Sequence, residues 1–206
     1  QYSFPEWIVA RFMNQFGAAK TKEIFTQMLK KSDVYLRVNN TKICTDDLIA
    51  QLHGEGVETE KIEIENGLKV ISQSGAIDGL SSYKNGYFHV QDEASQRVCG
   101  ILSPKKGYRV LDICAAPGGK TFTMAQIMEN EGEIISCDLY ESRTRLIKNG
   151  AERLHLDIVK AKVNDATVFA DFGKFDCVLC DVPCSGLGVI RRKPEIKYKE
   201  LIKEEI

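Results

Sequence analysis

From Gln91 onward, apolar strand-like runs alternate with helical stretches, and no other feature of the chain restricts its fold as much. The pattern reads helix 91–102, strand 108–114, helix 119–130, strand 133–138, helix 141–154, strand 158–163 and strand 175–181. A helix between two strands returns the chain to the same sheet edge, so consecutive strands run parallel. Right-handed crossovers then cover both faces with helices, which predicts an α/β, doubly wound sheet. Such sheets bind ligands at the carboxyl ends of their strands, near the point where strand order reverses. Two unusual runs, Asp112 to Thr121 and Asp181 to Gly186, follow strands at that edge.

The pattern changes near residue 80, which predicts a small α+β subdomain over 1–80 and the sheet-forming portion over 81–206. Pro5 can start a helix bearing Trp7, Ile8, Phe12 and Phe16, and Gly17 ends it. A second helix carries Ile24, Phe25, Met28 and Leu29, and alternation in Val34-Tyr35-Leu36-Arg37-Val38 marks a half-buried strand. Thr45 is the expected N-cap of a helix that Gly54 and Gly56 stop. Short strands follow at 62–64, 68–71 and 87–90, with turns at Asn66-Gly67 and Asn85-Gly86.

No apolar run reaches the roughly 18 residues that span a bilayer, and the start lacks a signal-peptide layout, so the expectation is a cytoplasmic protein without a membrane. Seven cysteines, mostly inside apolar runs, suit a reducing compartment. Cys177 and Cys180 have metal-ligand spacing but point to opposite faces of a strand, and no histidine joins a cysteine pair, so no metal site is expected. Net charge is −1, which gives no global field for nucleic acid, although Arg191, Arg192 and Lys193 form a local basic run. The absence of an initial Met and the charged helical run Lys199 to Ile206 lead us to expect a piece of a longer polypeptide.

The segment Cys114-Ala115-Ala116-Pro117-Gly118-Gly119-Lys120 has almost no bulk where a strand passes into a helix. Its backbone can approach a ligand closely, and the N–H groups opening the helix can receive a carboxylate. A phosphate-cradling P-loop needs Gly at position 114, which is Cys, and a dinucleotide fingerprint needs three spaced glycines where this loop has two adjacent ones. The methionine end of S-adenosyl-L-methionine fits better than either. Asp138, about twenty residues beyond the glycines, is placed to accept ribose hydroxyls, and Asp165 to meet an adenine amino group; alone they would be a helix cap and a turn residue. Cys184, held by Pro183 at a strand end outside the apolar run, is a candidate functional thiol.

At these residues the chain resembles the bacterial small-subunit (16S) ribosomal RNA cytosine-5 methyltransferases of the Sun/Fmu (RsmB) type. The resemblance is carried by Val90 to Ser95, Asp112 to Thr121, Asp138, Asp165 and the run from Asp181 through Lys197. It implies a ferredoxin-like subdomain before a Rossmann-like methyltransferase core, S-adenosylmethionine as cofactor, ribosomal RNA as partner, and a preceding helical RNA-binding domain. It also implies two cysteines: a nucleophile in a Thr-Cys motif after the next strand, and Cys184, which assists product release. The expectation is therefore a fragment that keeps much of the cofactor site (Cys114 to Lys120, Asp138, Asp165, Asp181) without the nucleophile. Lys120 and Asp181 are open between ligand contact and a salt bridge, and Arg191 to Lys193 are expected near the RNA backbone. A transfer RNA methyltransferase and a non-catalytic RNA-binding module are the alternatives.

Overall fold

A computed structural model describes residues 2–168 and 170–198; the helical run expected from Lys199 to Ile206 lies outside the described residues. The chain forms two compact units, one from Val34 to Val182 and one joining the residues up to Asp33 with those from Pro183 onward.

The larger unit contains two four-stranded sheets. The first has β1 (Val34–Val38), β2 (Val57–Lys61), β3 (Gly67–Gln73) and β4 (Phe88–Val90), with α2 (Thr45–Gly54) and the short α3 (Ser81–Lys84) between them. Its order is β2-β3-β1-β4 and every pairing is antiparallel, the ferredoxin-like arrangement. Leu36, Val38, Leu68 and Phe88 from the sheet meet Leu48 and Leu52 from α2 in one buried cluster. Because side chains alternate across a strand, Arg37, Asn39 and His89 face the other way, and they too are buried.

The second sheet is β5 (Arg109–Asp112), β6 (Glu133–Asp138), β7 (Val159–Val163) and β8 (Cys177–Leu179), in the order β7-β6-β5-β8 with all pairings parallel. In chain order this is 3-2-1-4, the first four strands of a Rossmann-like sheet, and the order reverses beside β5. Helices α4 (Glu93–Leu102), α5 (Gly119–Ile127) and α6 (Glu141–Leu154) connect and cover it. Helix α5 is buried all round, from Thr121 through Gln126. Phe122, Met124 and Ala125 join the core of the second sheet, and Thr123 and Gln126 bond to residues of the first.

In the smaller unit, α1 (Glu6–Met28) is two helical segments across Gly17, whose φ of 73° and ψ of 168° are not helical. Phe25 stacks on Phe4 at 4.1 Å, and Ile8, Phe25 and Ile190 form the centre of this unit's core.

Three expectations need correction. The strand expected at 62–64 is the turn after β2, and the true strand Val57–Lys61 is an edge strand with a bulge between Glu58 and Thr59. The cap of α2 is Cys44, whose Sγ accepts the Asp47 N–H at 3.4 Å, while Thr45 is already helical and its hydroxyl turns to Asn66. The first sheet takes its last strand from Phe88–Val90, past the boundary expected at residue 80.

Candidate cofactor site

Asp112 closes β5 and is 1% exposed. Its Oδ2 accepts the Thr121 hydroxyl at 2.7 Å, Thr121 lies 3.1 Å from the Ser136 hydroxyl, and Oδ1 has no hydrogen-bond partner. Burial pushes the Asp112 carboxyl up to about 6, and the nearby Asp181 and Asp138 add to that shift.

The loop is fixed by backbone bonds. Ile113 N donates to Leu179 O, Ala115 N to Cys137 O at 2.7 Å, and Gly118 N to Ala115 O at 2.8 Å. Gly118 has φ +109°, and a Cβ there would strike the Phe122 ring, so only glycine fits. Gly119 opens α5, whose first-turn N–H groups have no partner within the helix, and they lie at the sheet edge where the order reverses. Cys114 is half-buried, and burial raises its thiol above the usual range.

Asp138 ends β6 and is 4% exposed. One carboxylate oxygen accepts the Ala116 N–H at 3.2 Å; the other has Arg143 Nη1 at 3.4 Å, outside hydrogen-bond geometry. Arg143 also donates to Ala116 O at 3.1 Å, so it ties the loop to the carboxylate. Sequence reasoning missed Arg143. Its signal was a cation in the first turn of a helix, where the dipole disfavours positive charge.

Lys120 Nζ meets Asp181 Oδ2 at 2.6 Å, so both of these expected residues sit at the same edge and form the salt bridge left open above. Asp165, two residues beyond β7, is exposed and makes a turn: its Oδ1 accepts from the Thr167 N–H at 2.9 Å and hydroxyl at 2.7 Å, which holds its carboxyl below the usual range. Cys184 is an exposed free thiol of the smaller unit. There Arg191 donates to Lys30 O, Lys31 O and Asp33 Oδ2, and so holds the segment that follows α1. Arg192 reaches Ser32 Oγ at 3.2 Å, and Lys193 is exposed.

A parallel 3-2-1-4 sheet with a small-residue loop and a buried carboxylate at its switch point defines the Rossmann-like class of S-adenosylmethionine-dependent methyltransferases. A family described as 16S rRNA methyltransferase RsmB/F matches residues 99–204, its ferredoxin-like domain matches 4–76, and the chain belongs to this family. The chain is 40% identical over 200 residues to the probable ribosomal RNA small subunit methyltransferase B of Bacillus subtilis, covering 95% of this chain and 44% of that protein. Its counterpart in Synechocystis is 32% identical over 204 residues, covering 97% and 46%. The solved methyltransferase homolog protein from Pyrococcus horikoshii superposes with a TM-score of 0.78 at 28% identity, covering 93% of this chain and 63% of that one. The chain thus spans about half the length of the curated relatives it matches. Among the described residues no helix is long and apolar enough to cross a membrane, and no group of three or more His, Cys, Asp or Glu is arranged to hold a metal.

Proposed function

We propose that this chain forms the cofactor-binding part of an enzyme that methylates carbon 5 of a cytosine in small-subunit ribosomal RNA, in the cytoplasm. The observation that carries the proposal is Asp138: a buried carboxylate at the end of β6, one oxygen without a donor, next to a loop that only small residues can form. A ribose hydroxyl is the kind of donor this oxygen lacks, and the open first turn of α5 suits the amino-acid carboxylate of the same ligand. When bound, S-adenosylmethionine supplies an electrophilic methyl group.

The residues then divide the work. Gly118 and Gly119 let the backbone approach, Asp138 orients the ribose with Arg143 behind it, and Asp165 meets the adenine. Lys120 and Asp181 set the charge at the mouth of the site. Carbon 5 of cytosine is a weak nucleophile until a thiolate adds at carbon 6, so the reaction needs a cysteine and an unstacked base. By family resemblance the adding thiolate belongs to a second cysteine. Cys184 assists release, in which carbon 5 loses its proton and the thiolate leaves carbon 6. The first sheet would present RNA to the second, with Lys193 near a phosphate.

Calorimetric titration of the chain with S-adenosylmethionine, beside Asp138→Ala, tests the reading. Loss of the carboxylate's hydrogen bonds should weaken binding by about 10- to 100-fold, with the unfolding midpoint read alongside to separate lost affinity from lost stability. Equal affinity in the two proteins would refute it.

A further inference from the structure

The face of the first sheet that turns away from its own core grips α5 at two levels. At the upper level, next to the loop, the Thr123 hydroxyl lies 2.6 Å from Gln91 Oε1, 3.1 Å from Gly119 O and 3.4 Å from His89 Nε2. One turn further on, Gln126 Oε1 accepts from Arg37 Nε at 3.3 Å. Gln91 is itself anchored: its N–H donates to Tyr35 O of β1 at 3.0 Å, and its carbonyl accepts from Gln96 of α4 at 3.1 Å. Its side chain lies against Gly119, where a Cβ would stand 3.6 Å from both Cγ and Nε2.

From this geometry we propose that Gln91 and Thr123 are positioning residues, which fix the first turn of α5 relative to the first sheet so that its N–H groups stand where the cofactor carboxylate must bind. The inference rests on the cofactor reading above.

The polar content of the contact is the argument for function. Gln91, Thr123 and His89 are all at least 94% buried, in a place where apolar side chains of the same size would pack without loss. Gln91 Nε2 and His89 Nδ1 are buried with no hydrogen-bond partner, so the arrangement costs stability that packing alone would not require. Hydrogen bonds fix distance and direction where apolar contacts slide, and binding groups must be held to within about 0.5 Å. His89 fits the same scheme: burial and the nearby cations Arg37 and Arg153 push its imidazole down to about 3, so it stays neutral. Its Nε2–H can donate to the Thr123 oxygen while the Thr123 hydroxyl donates to Gln91.

The test uses Gln91→Leu, Thr123→Val and Thr123→Ser. Two quantities are read beside the urea midpoint: hydrogen exchange at amides 122–124, the first in α5 with helical acceptors, and affinity for S-adenosylhomocysteine. Gln91→Leu should keep the wild-type midpoint and Thr123→Val, which leaves Gln91 Oε1 without its donor, should lower it; both should speed exchange at those amides by about tenfold over the other helices and weaken binding by about tenfold. Thr123→Ser, which keeps the hydroxyl, should restore both. Exchange that rises evenly across the chain, or not at all, overturns the proposal, as does a Thr123→Ser protein that behaves like Thr123→Val. If the wild type fails to bind but Gln91→Leu still loosens amides 122–124 selectively, the cofactor reading falls and the positioning role stands.

Discussion

Asp112→Asn should stabilise this protein at neutral pH and leave it unchanged in acid. Asp112 is 1% exposed, and its carboxyl is raised from 3.8 to about 6, chiefly by burial. In the unfolded chain it titrates normally, so between about pH 4 and pH 6 the folded state holds the proton more tightly and binds more protons. Stability therefore falls as pH rises through that window, and the loss is complete above pH 6. A shift of about two units corresponds to about 3 kcal/mol. Asparagine mimics the protonated form: its oxygen can still accept the Thr121 hydroxyl, and its NH2 replaces the O–H at the unpartnered Oδ1 position. Urea unfolding at pH 4 and pH 7, with the slope in urea checked for constancy, reads the difference. The two proteins should match at pH 4, and the variant should be more stable by about 2–3 kcal/mol at pH 7. Parallel pH profiles would show that Asp112 ionises as freely in the fold as outside it and would refute the argument.

Two further substitutions test the packing. Gly150→Ala in α6 gains about 1 kcal/mol of helix propensity, yet the new Cβ would meet the Phe122 ring, so a net loss of about 1–3 kcal/mol is expected in the same unfolding assay, and Phe122→Leu should relieve it. A more stable Gly150→Ala protein would mean that the ring moves aside freely. Cys44→Ser replaces a weak sulfur acceptor with the preferred oxygen at the start of α2 and should raise stability by about 0.5–1 kcal/mol; a fall would show that the 3.4 Å contact from Asp47 is not a cap.

Regular elements were legible where period and punctuation agreed. β6 and α6 begin and end where the sequence placed them, because β-branched Ile134 and Ile135 follow Gly132, and an amphipathic helix follows Asp138. Val57–Lys61 was missed because an edge strand with charged Glu58, Glu60 and Lys61 has little apolar signal, while Ile62 and Ile64 alternate well but lie in the turn. The site loop was legible because it is contiguous. Arg191 on the segment after α1 was not, since its partners lie about 160 residues away in the chain, and Arg143 on Asp138 was not, since a cation in the first turn of a helix reads as a solvent position.

The least legible part was the polar face of the first sheet, and the reason is physical. Alternation in Val34-Tyr35-Leu36-Arg37-Val38 shows that the two faces of a strand differ, and the ordinary inference assigns the charged face to water. Here that face is dry: Arg37 is 5% exposed and His89 4%. What covers it is α5, a helix whose Thr123 and Gln126 would look like solvent positions on their own, so two sequences that each read as wet satisfy one another. A period of two reports that a strand is two-sided, and only the partner element decides which side meets water. Here the partner is the helix that opens at the cofactor loop, so the hidden face of the first sheet and the position of Gly119 are fixed by the same contacts.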